Sequence, residues 1–365
     1  MGYGRDVLIE RAQQAESVSE LFGAASPRLR RLVDFDAAVW LATDPATGLP
    51  TAPTLVDNLA HFGRGPCERV WELEFLVDDV NLYCDLAGAD VPAGGLRLST
   101  GDRPARSHRF RDLLRPNGFG DELRTVLRAD GRPWAVLSLF REAGRPAFTA
   151  ADLTLAGSLS EPLAGAIRDL TRTHTAESHG SMPGPGLLVF DSRGELISLN
   201  DDADAWLNDL PEHGAPLPMV VLTTQMQARA QGSARVRLRG ESGRWIVCHA
   251  SCLRTVDGDV GETALVIESA PAAEIAPIIA EAYELSARER EVTELIARGA
   301  STAQIAEQLI LSPHTVRDYI KTIFEKVGVS SRGELVARLF SEHYAPIHFG
   351  SEQAREAVAD HGVGR

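Results

Sequence analysis

Near the C-terminal end of the chain, apolar residues recur with the period of an α-helix in four successive runs separated by short polar breaks. Val292, Leu295 and Ile296 form the stripe of the first run, and Ile305, Ala306 and Leu309 that of the second. The third places Val316, Ile320, Ile323, Phe324 and Val327 on one continuous face. The fourth carries Leu335, Val336, Leu339 and Phe340. Start signals agree with the stripes. Ser286 with Glu289 three positions on predicts a capping box, as do Ser331 and Glu334 for the fourth run. Ser301 or Thr302 opens the second run, and Ser312 with Pro313 at the first helical position opens the third. Gly299 stops the first helix, and Ile310 with Leu311 makes a tight turn between the second and third. The pattern predicts an all-α four-helix domain over residues 282–345.

Upstream the period shortens and turn residues multiply. Residues 1–175 read as an α+β unit. A helical, Arg-bearing start (VSELFGAASPRLRRLV) leads to two strands around DPATG. RTVLRADGRPWAVLSLFR then reads as a hairpin turning at Asp130 and Gly131, and a closing helix begins at Thr149 as N-cap. The polar stretch THTAESHGSMPGPG, with His174 and His179, reads as a linker. Residues 184–275 follow as a second α+β unit. It comprises a strand, a turn at 191–194, a second strand, a short acidic helix, and three strands with turns at 241–243 and 257–261. Ile275, Ile278, Ile279 and Tyr283 then predict a connecting helix that starts near Pro271.

Composition narrows the function classes. A length of 365 residues with 44% hydrophobic and 24% charged residues fits several globular domains, each able to bury a core. No apolar run approaches a membrane span, and the polar start MGYGRDVLIERAQQ lacks a signal-peptide core, so a cytoplasmic protein with no membrane partner is expected. Cys67, Cys84, Cys248 and Cys252 form no CxxC pair, which argues against a disulfide scaffold and a structural zinc. Cys248 and Cys252 share a strand face, either as small core residues or, with His249, as a thiol or metal sensor. No P-loop, GxSxG, HExxH or dinucleotide fingerprint is present, so neither an enzyme nor a cofactor is expected. Asp78-Asp79 and Asp201-Asp202 read as turn or helix-start carboxylates. Arg97, Arg103, Arg106, Arg109, Arg111 and Arg115 are either a solvated face or an anion site. Trp40, Trp71, Phe75, Tyr83 and Trp134 are core aromatics or the lining of a ligand cavity. The net charge of −14 opposes DNA binding, yet residues 312–340 carry five cations against three acids.

LSAREREVTELIARGASTAQIAEQLILSPHTVRDYIKTIFEKVGVSSRGELVARLF closely resembles the DNA-binding domain of LuxR/FixJ-type regulators, through its REREV helix, STAQIA helix, SPHTV start and KVGVSSRGELV ending. That resemblance implies a helix-turn-helix. It places base-edge contacts at Arg317, Asp318 and Lys321 and phosphate contacts at Ser301, Thr302, Thr315 and Lys326. It further implies a homodimer on two half-sites of duplex DNA, with the fourth helix (Leu335, Val336, Leu339) as dimer contact. Tyr319 stands where that family usually has His. The side-chain chemistry agrees independently: Arg317 can pair bidentately with guanine, Lys321 can reach the same edge, and Asp318 can accept from a cytosine amine. The first unit resembles a GAF domain through FDAAVWLATDPATG, WAVLSLFRE and FTAADLTLAGSLS, which implies a small-molecule sensor whose ligand is unidentified. The second resembles a PAS domain through LLVFDSRGELISLN, either holding a ligand or acting as a spacer or dimerisation module. The expectation is a one-component transcription regulator. The rival reading is a GAF/PAS signalling protein that acts through protein partners.

Overall fold

The computed structural model describes residues 2–59, 66–173, 183–211, 217–254, 256–258, 260–336 and 338–339. His174, His179 and Phe340, named above, lie outside them. The chain forms two compact units, one of residues 1–170, 183–241 and 245–269, the other of 171–182, 242–244 and 270–365.

The first unit contains both sheets. Helices α1 (Gly2–Gln13) and α2 (Val18–Arg30) precede β1 (Ala37–Thr43) and β2 (Pro50–Asp57). Then come α3 (Pro66–Phe75), α4 (Tyr83–Gly88), β3 (Ala93–Gly95), α5 (Leu96–Ser99), β4 (Phe119–Ala129), β5 (Arg132–Glu142) and α6 (Ala150–Thr173). These strands form an antiparallel sheet in the order β2-β1-β5-β4-β3. The expected hairpin joins β4 to β5, with Asp130 (φ 51°) and Gly131 (φ 75°) both left-handed, as a two-residue turn that matches strand twist requires. Thr149 does open α6: its hydroxyl takes the Asp152 N–H (3.2 Å) while the Asp152 carboxylate takes the Thr149 N–H (2.8 Å).

One sheet face packs Trp40, Leu123, Leu137 and Leu139 against Leu8, Phe22 and Leu163 of α1, α2 and α6, with Thr125 buried beside them and donating to Pro92 O (2.7 Å). Helix α1 has no strong apolar stripe, because only Leu8 and Ala12 of its length are buried, and the sequence pattern does not predict it.

The second sheet repeats the same order. Strands β6 (Gly186–Phe190) and β7 (Leu196–Leu199) are followed by α7 (Asp201–Asp209) and α8 (Met219–Gln231). Strands β8 (Ser233–Arg239), β9 (Trp245–Arg254) and β10 (Val260–Ser269) complete the order β7-β6-β10-β9-β8. Helix α7 packs Trp206 and α8 packs Val220, Val221 and Ala228 onto the inner face, with Cys248 in the same core. Helix α8 is absent from the pattern-based expectation for a physical reason. Residues 220–226 are all buried, so the segment has no polar face to produce a period.

The two sheets, expected as separate units, share one. Asp44, at the end of β1, is 1% exposed and accepts from the Arg237 N–H (2.9 Å) and Nε (3.0 Å) on β8 and from the Ala46 N–H (2.9 Å). Burial pushes its carboxyl above the ordinary value, with Arg237 opposing. Removing one member of such a buried pair leaves the other charge desolvated, so Asp44→Ala is expected to lower the unfolding free energy by about 3–5 kcal/mol. A urea titration followed by circular dichroism reads this, and an unmoved midpoint would show that the pair does not hold the sheets together.

Candidate nucleic-acid interface

In the second unit, α9 (Ala272–Ala282) starts at Pro271 and buries Ile275, Ile278, Ile279 and, just past its end, Tyr283. Helices α10 (Ala287–Ala297), α11 (Thr302–Leu309), α12 (Pro313–Val327) and α13 (Arg332–Val336) follow. Side-chain chemistry sets each start. Ser286 and Glu289 form the expected capping box on α10, and Ser301, rather than Thr302, caps α11 in a second box with Gln304. Ser312 caps α12 by accepting the Thr315 N–H (3.0 Å). On α13 only half the expected box forms: Ser331 accepts the Glu334 N–H (3.1 Å), but the Glu334 carboxylate turns to the N–H (2.7 Å) and hydroxyl (2.8 Å) of Ser330. The turn from α11 to α12 passes through Ile310 at φ 54°, a left-handed conformation that branched side chains disfavour, and leaves that side chain 92% exposed.

Val316, Ile323 and Val327 are buried, with Ile320 and Phe324 half-buried beside them, so α12 turns His314, Arg317, Asp318, Lys321 and Glu325 outward. Among the described residues, the Arg317 guanidinium has no hydrogen-bond or ion-pair partner and faces solvent. Asp318 lies 2.9 Å from His314 Nδ1, and Lys321 sits 3.9 Å from Glu325, an exposed pair with little hold on it. Ser301 is exposed at the start of α11, while Thr302 and Thr315 are half-buried. Sequence reasoning missed Arg332. From the first turn of α13 it donates to Ala300 O (2.7 Å) and Thr302 Oγ1 (3.0 Å), bringing a cation to the start of α11. No local pattern reveals it, because the contact joins residues 30 apart.

Two expected roles meet a different environment. Lys326 donates to the Glu289 carboxylate (2.7 Å) and to Glu284 O (2.9 Å), tying the end of α12 to the start of α10. Leu335 and Leu339, expected as dimer contacts, are 1% and 4% exposed. They belong to this unit's own core and offer no apolar surface to a partner; only Val336 of the three is half-exposed.

The first unit holds a second candidate site, a cavity of about 590 Å³ lined by Trp71, Phe75, Tyr83, Val126, Val136 and Gln227. The aromatic set divides here: Trp71, Phe75 and Tyr83 line the cavity, whereas Trp40 and Trp134 are buried on the opposite, helix-covered sheet face. The arginine run divides too. Arg109 is 3% exposed and pairs with Glu122 (2.7 Å), while Arg103, Arg106 and Arg115 remain exposed. Beside the cavity, Arg124 pairs with Glu74 (2.6 Å) and lies 3.5 Å over the Tyr83 ring. Burial works to lower its pKa, but Glu74, Tyr83 and Glu122 outweigh burial and hold it above the ordinary value. Asp79 accepts from Ser107 Oγ and the Arg109 N–H (both 2.8 Å), a structural role. Burial pushes the Cys248 thiol up to about 12, which keeps it unreactive. Among the described residues no His, Cys, Asp or Glu cluster could hold a metal, and no helix is long and apolar enough to cross a membrane.

Residues 283–339 match the family described as bacterial regulatory proteins, luxR family. The spore germination protein GerE of Bacillus subtilis is 42% identical over 55 residues, 15% of this chain and 74% of GerE. The transcriptional regulatory protein DesR of the same organism is 44% identical over 61 residues, 17% of this chain and 31% of DesR. The chain therefore spans less than a third of that relative's length. Among solved structures, SdiA of Escherichia coli aligns with 92% of this chain and 94% of its own at 12% identity, with a TM-score of 0.34, a likeness too loose to carry an argument.

Two outcomes follow from the local geometry. Burial alone raises the Glu289 pKa, but the Lys326 ammonium and Ser286 N–H outweigh it and hold the carboxyl below its ordinary value. The link is in place above the ordinary carboxylate range and is lost as pH falls through the lowered value. Lys326→Met is expected to lower stability by about 1–2 kcal/mol at neutral pH, and by progressively less in acid, in thermal melts across pH. Ile310→Gly relieves the left-handed strain and should raise stability by roughly 1 kcal/mol in the same melts; a fall would mean that the Ile310 side chain is held by packing.

Proposed function

Because the chain belongs, through residues 283–339, to the luxR family of bacterial regulatory proteins, we propose that it is a sequence-specific DNA-binding transcription regulator. Two copies bind two half-sites of duplex DNA, and the N-terminal sheets control them. The observation that carries this reading is the unpartnered Arg317 guanidinium on the outer face of α12, the third helix of the four-helix unit. A helix with one buried stripe and an exposed cation near its start is the form that enters a major groove.

In this reading Arg317 reads guanine, Lys321 reaches the neighbouring base edge, and Asp318, steered by His314, accepts from a cytosine amine. Ser301, Thr302 and Thr315 hold phosphates, with Arg332 adding charge beside Thr302. Lys326 already has two partners, so its contribution to phosphate is reduced to its long-range field. The first sheet acts as a GAF-like sensor and the second as a PAS-like module. The cavity beside Trp71, Phe75 and Tyr83 is the place for a small-molecule effector, since its volume suits one and its walls set apolar side chains beside Glu74, Asp78, Arg132 and Gln227. The rival reading, a signalling assembly acting through protein partners, draws its support from the net charge of −14.

Fluorescence anisotropy of the full chain against an operator found by in vitro selection separates the two. The regulator reading expects the logarithm of affinity to fall linearly with the logarithm of salt concentration. Arg317→Ala should lose about 1–3 kcal/mol at the selected site and flatten the preference among sequences, while Thr315→Val weakens binding to every sequence alike. Salt-independent binding, or an Arg317→Ala variant with unchanged sequence preference, would sink the docking described here.

A further inference from the structure

Residues 97–115 of the first unit carry six arginines against two aspartates, a net +4 within a chain of net −14. Both aspartates are already paired, Asp102 with Arg97 (2.6 Å) and Asp112 with Arg69 (2.5 Å). Arg109 is withdrawn into its buried pair with Glu122. Arg103, Arg106 and Arg115 are exposed, and among the described residues their guanidinium groups have no hydrogen-bond or ion-pair partner. The backbone beneath them is pinned. The Arg106 N–H closes a short turn onto Arg103 O (3.0 Å). Arg111 donates to Ala105 O (2.6 Å) and Arg106 O (3.1 Å), tying that turn to the next, and Arg115 follows Arg111 by one turn. Asp79 anchors the same segment through Ser107 Oγ and the Arg109 N–H (both 2.8 Å). Three like charges thus stand on one fixed segment with no counter-charge of their own, an arrangement that an anion stabilises.

We propose that Arg103, Arg106 and Arg115 form a phosphate-binding surface that takes the backbone of duplex DNA without reading its bases. The choice of duplex rests on the DNA-binding reading above, which brings this polyanion to the chain. A guanidinium fork can give two parallel N–H bonds to one phosphate, and phosphate contacts position a protein without carrying sequence information. A protein partner fits less well. Protein interfaces are built on an apolar centre, and among the described residues no exposed large hydrophobic side chain lies between 103 and 117. The surface also adds free cations to those of α12, where Lys321 and Lys326 already face Glu325 and Glu289.

Fluorescence anisotropy of the full chain provides the test, on a duplex that extends about 20 base pairs beyond each end of a selected site. The variant is Arg103→Gln/Arg106→Gln/Arg115→Gln. As control, Arg11→Gln/Arg31→Gln/Arg193→Gln removes the same charge from other exposed positions, and thermal melts confirm that both fold. Each phosphate contact contributes about 0.9 to the slope of log affinity against log salt. The variant should therefore flatten the slope by about 2–3 and bind about tenfold or more weakly at about 0.1 M salt, with its preference among sequences unchanged. The control should keep the wild-type slope. A variant that binds the duplex with wild-type slope and affinity overturns the proposal, and if wild type alone then holds polyglutamate, the surface belongs to an acidic protein instead. A flattened slope in the variant beside an unmoved Arg317→Ala leaves this surface standing and removes the docking of α12. A wild type that binds no duplex at all removes both.

Discussion

Helix α12 can bury only one of its faces, and the character of the C-terminal unit depends on that limit. Val316, Ile323 and Val327 are fully withdrawn from water, and each such side chain is worth about 1.5–3 kcal/mol when buried. Any rotation of the helix that turned Arg317 or Lys321 inward would expose this stripe and desolvate a cation, so two large terms oppose it together. The outward direction of the polar residues is thus set by the apolar ones. The caps act on the same helix from its ends: Ser312 fixes where it starts, and Lys326, held by Glu289 and Glu284, ties its last turn to the neighbouring helix.

The first sheet solves a harder problem. One face is mostly apolar and depends chiefly on shape. The other carries Glu74, Glu122, Arg109 and Arg124, all 7% exposed or less. Isolated, each would cost several kcal/mol to bury. They are tolerable because two carboxylates match two guanidinium groups, with Ser138, the Tyr83 ring and backbone carbonyls as further partners. A network of this kind constrains geometry more than it adds stability, and it lies beside the cavity assigned here to an effector. On the proposed reading, a ligand that displaced Tyr83 would disturb this charge set.

The distribution of charge reconciles an acidic chain with a nucleic-acid partner. The net −14 is a property of the whole chain, whereas the outer face of α12 offers Arg317 unpaired and Lys321 only loosely held. Affinity for a polyanion depends on cations near the contact more than on the total, although distant acids weaken it at low salt.

The C-terminal unit was legible from sequence because its determinants are local: an apolar stripe at helical spacing, a capping serine, a glycine after the last turn. Each acts within four or five residues, so the string of letters contains it. The two hairpins and the closing helix α6 were legible on the same grounds. Helix α8 was not, since a segment buried on all sides loses the period that marks a helix. The pairing of Asp44 with Arg237, the split of the aromatics between a core and a cavity, the Arg332 contact with Thr302 and the withdrawal of Leu335 and Leu339 from the surface also required the structure. Each depends on residues far apart in sequence that meet only after the sheets and helices pack. Periodicity says that a side chain has an apolar face to hide, and only tertiary packing decides whether its own unit or another chain covers it.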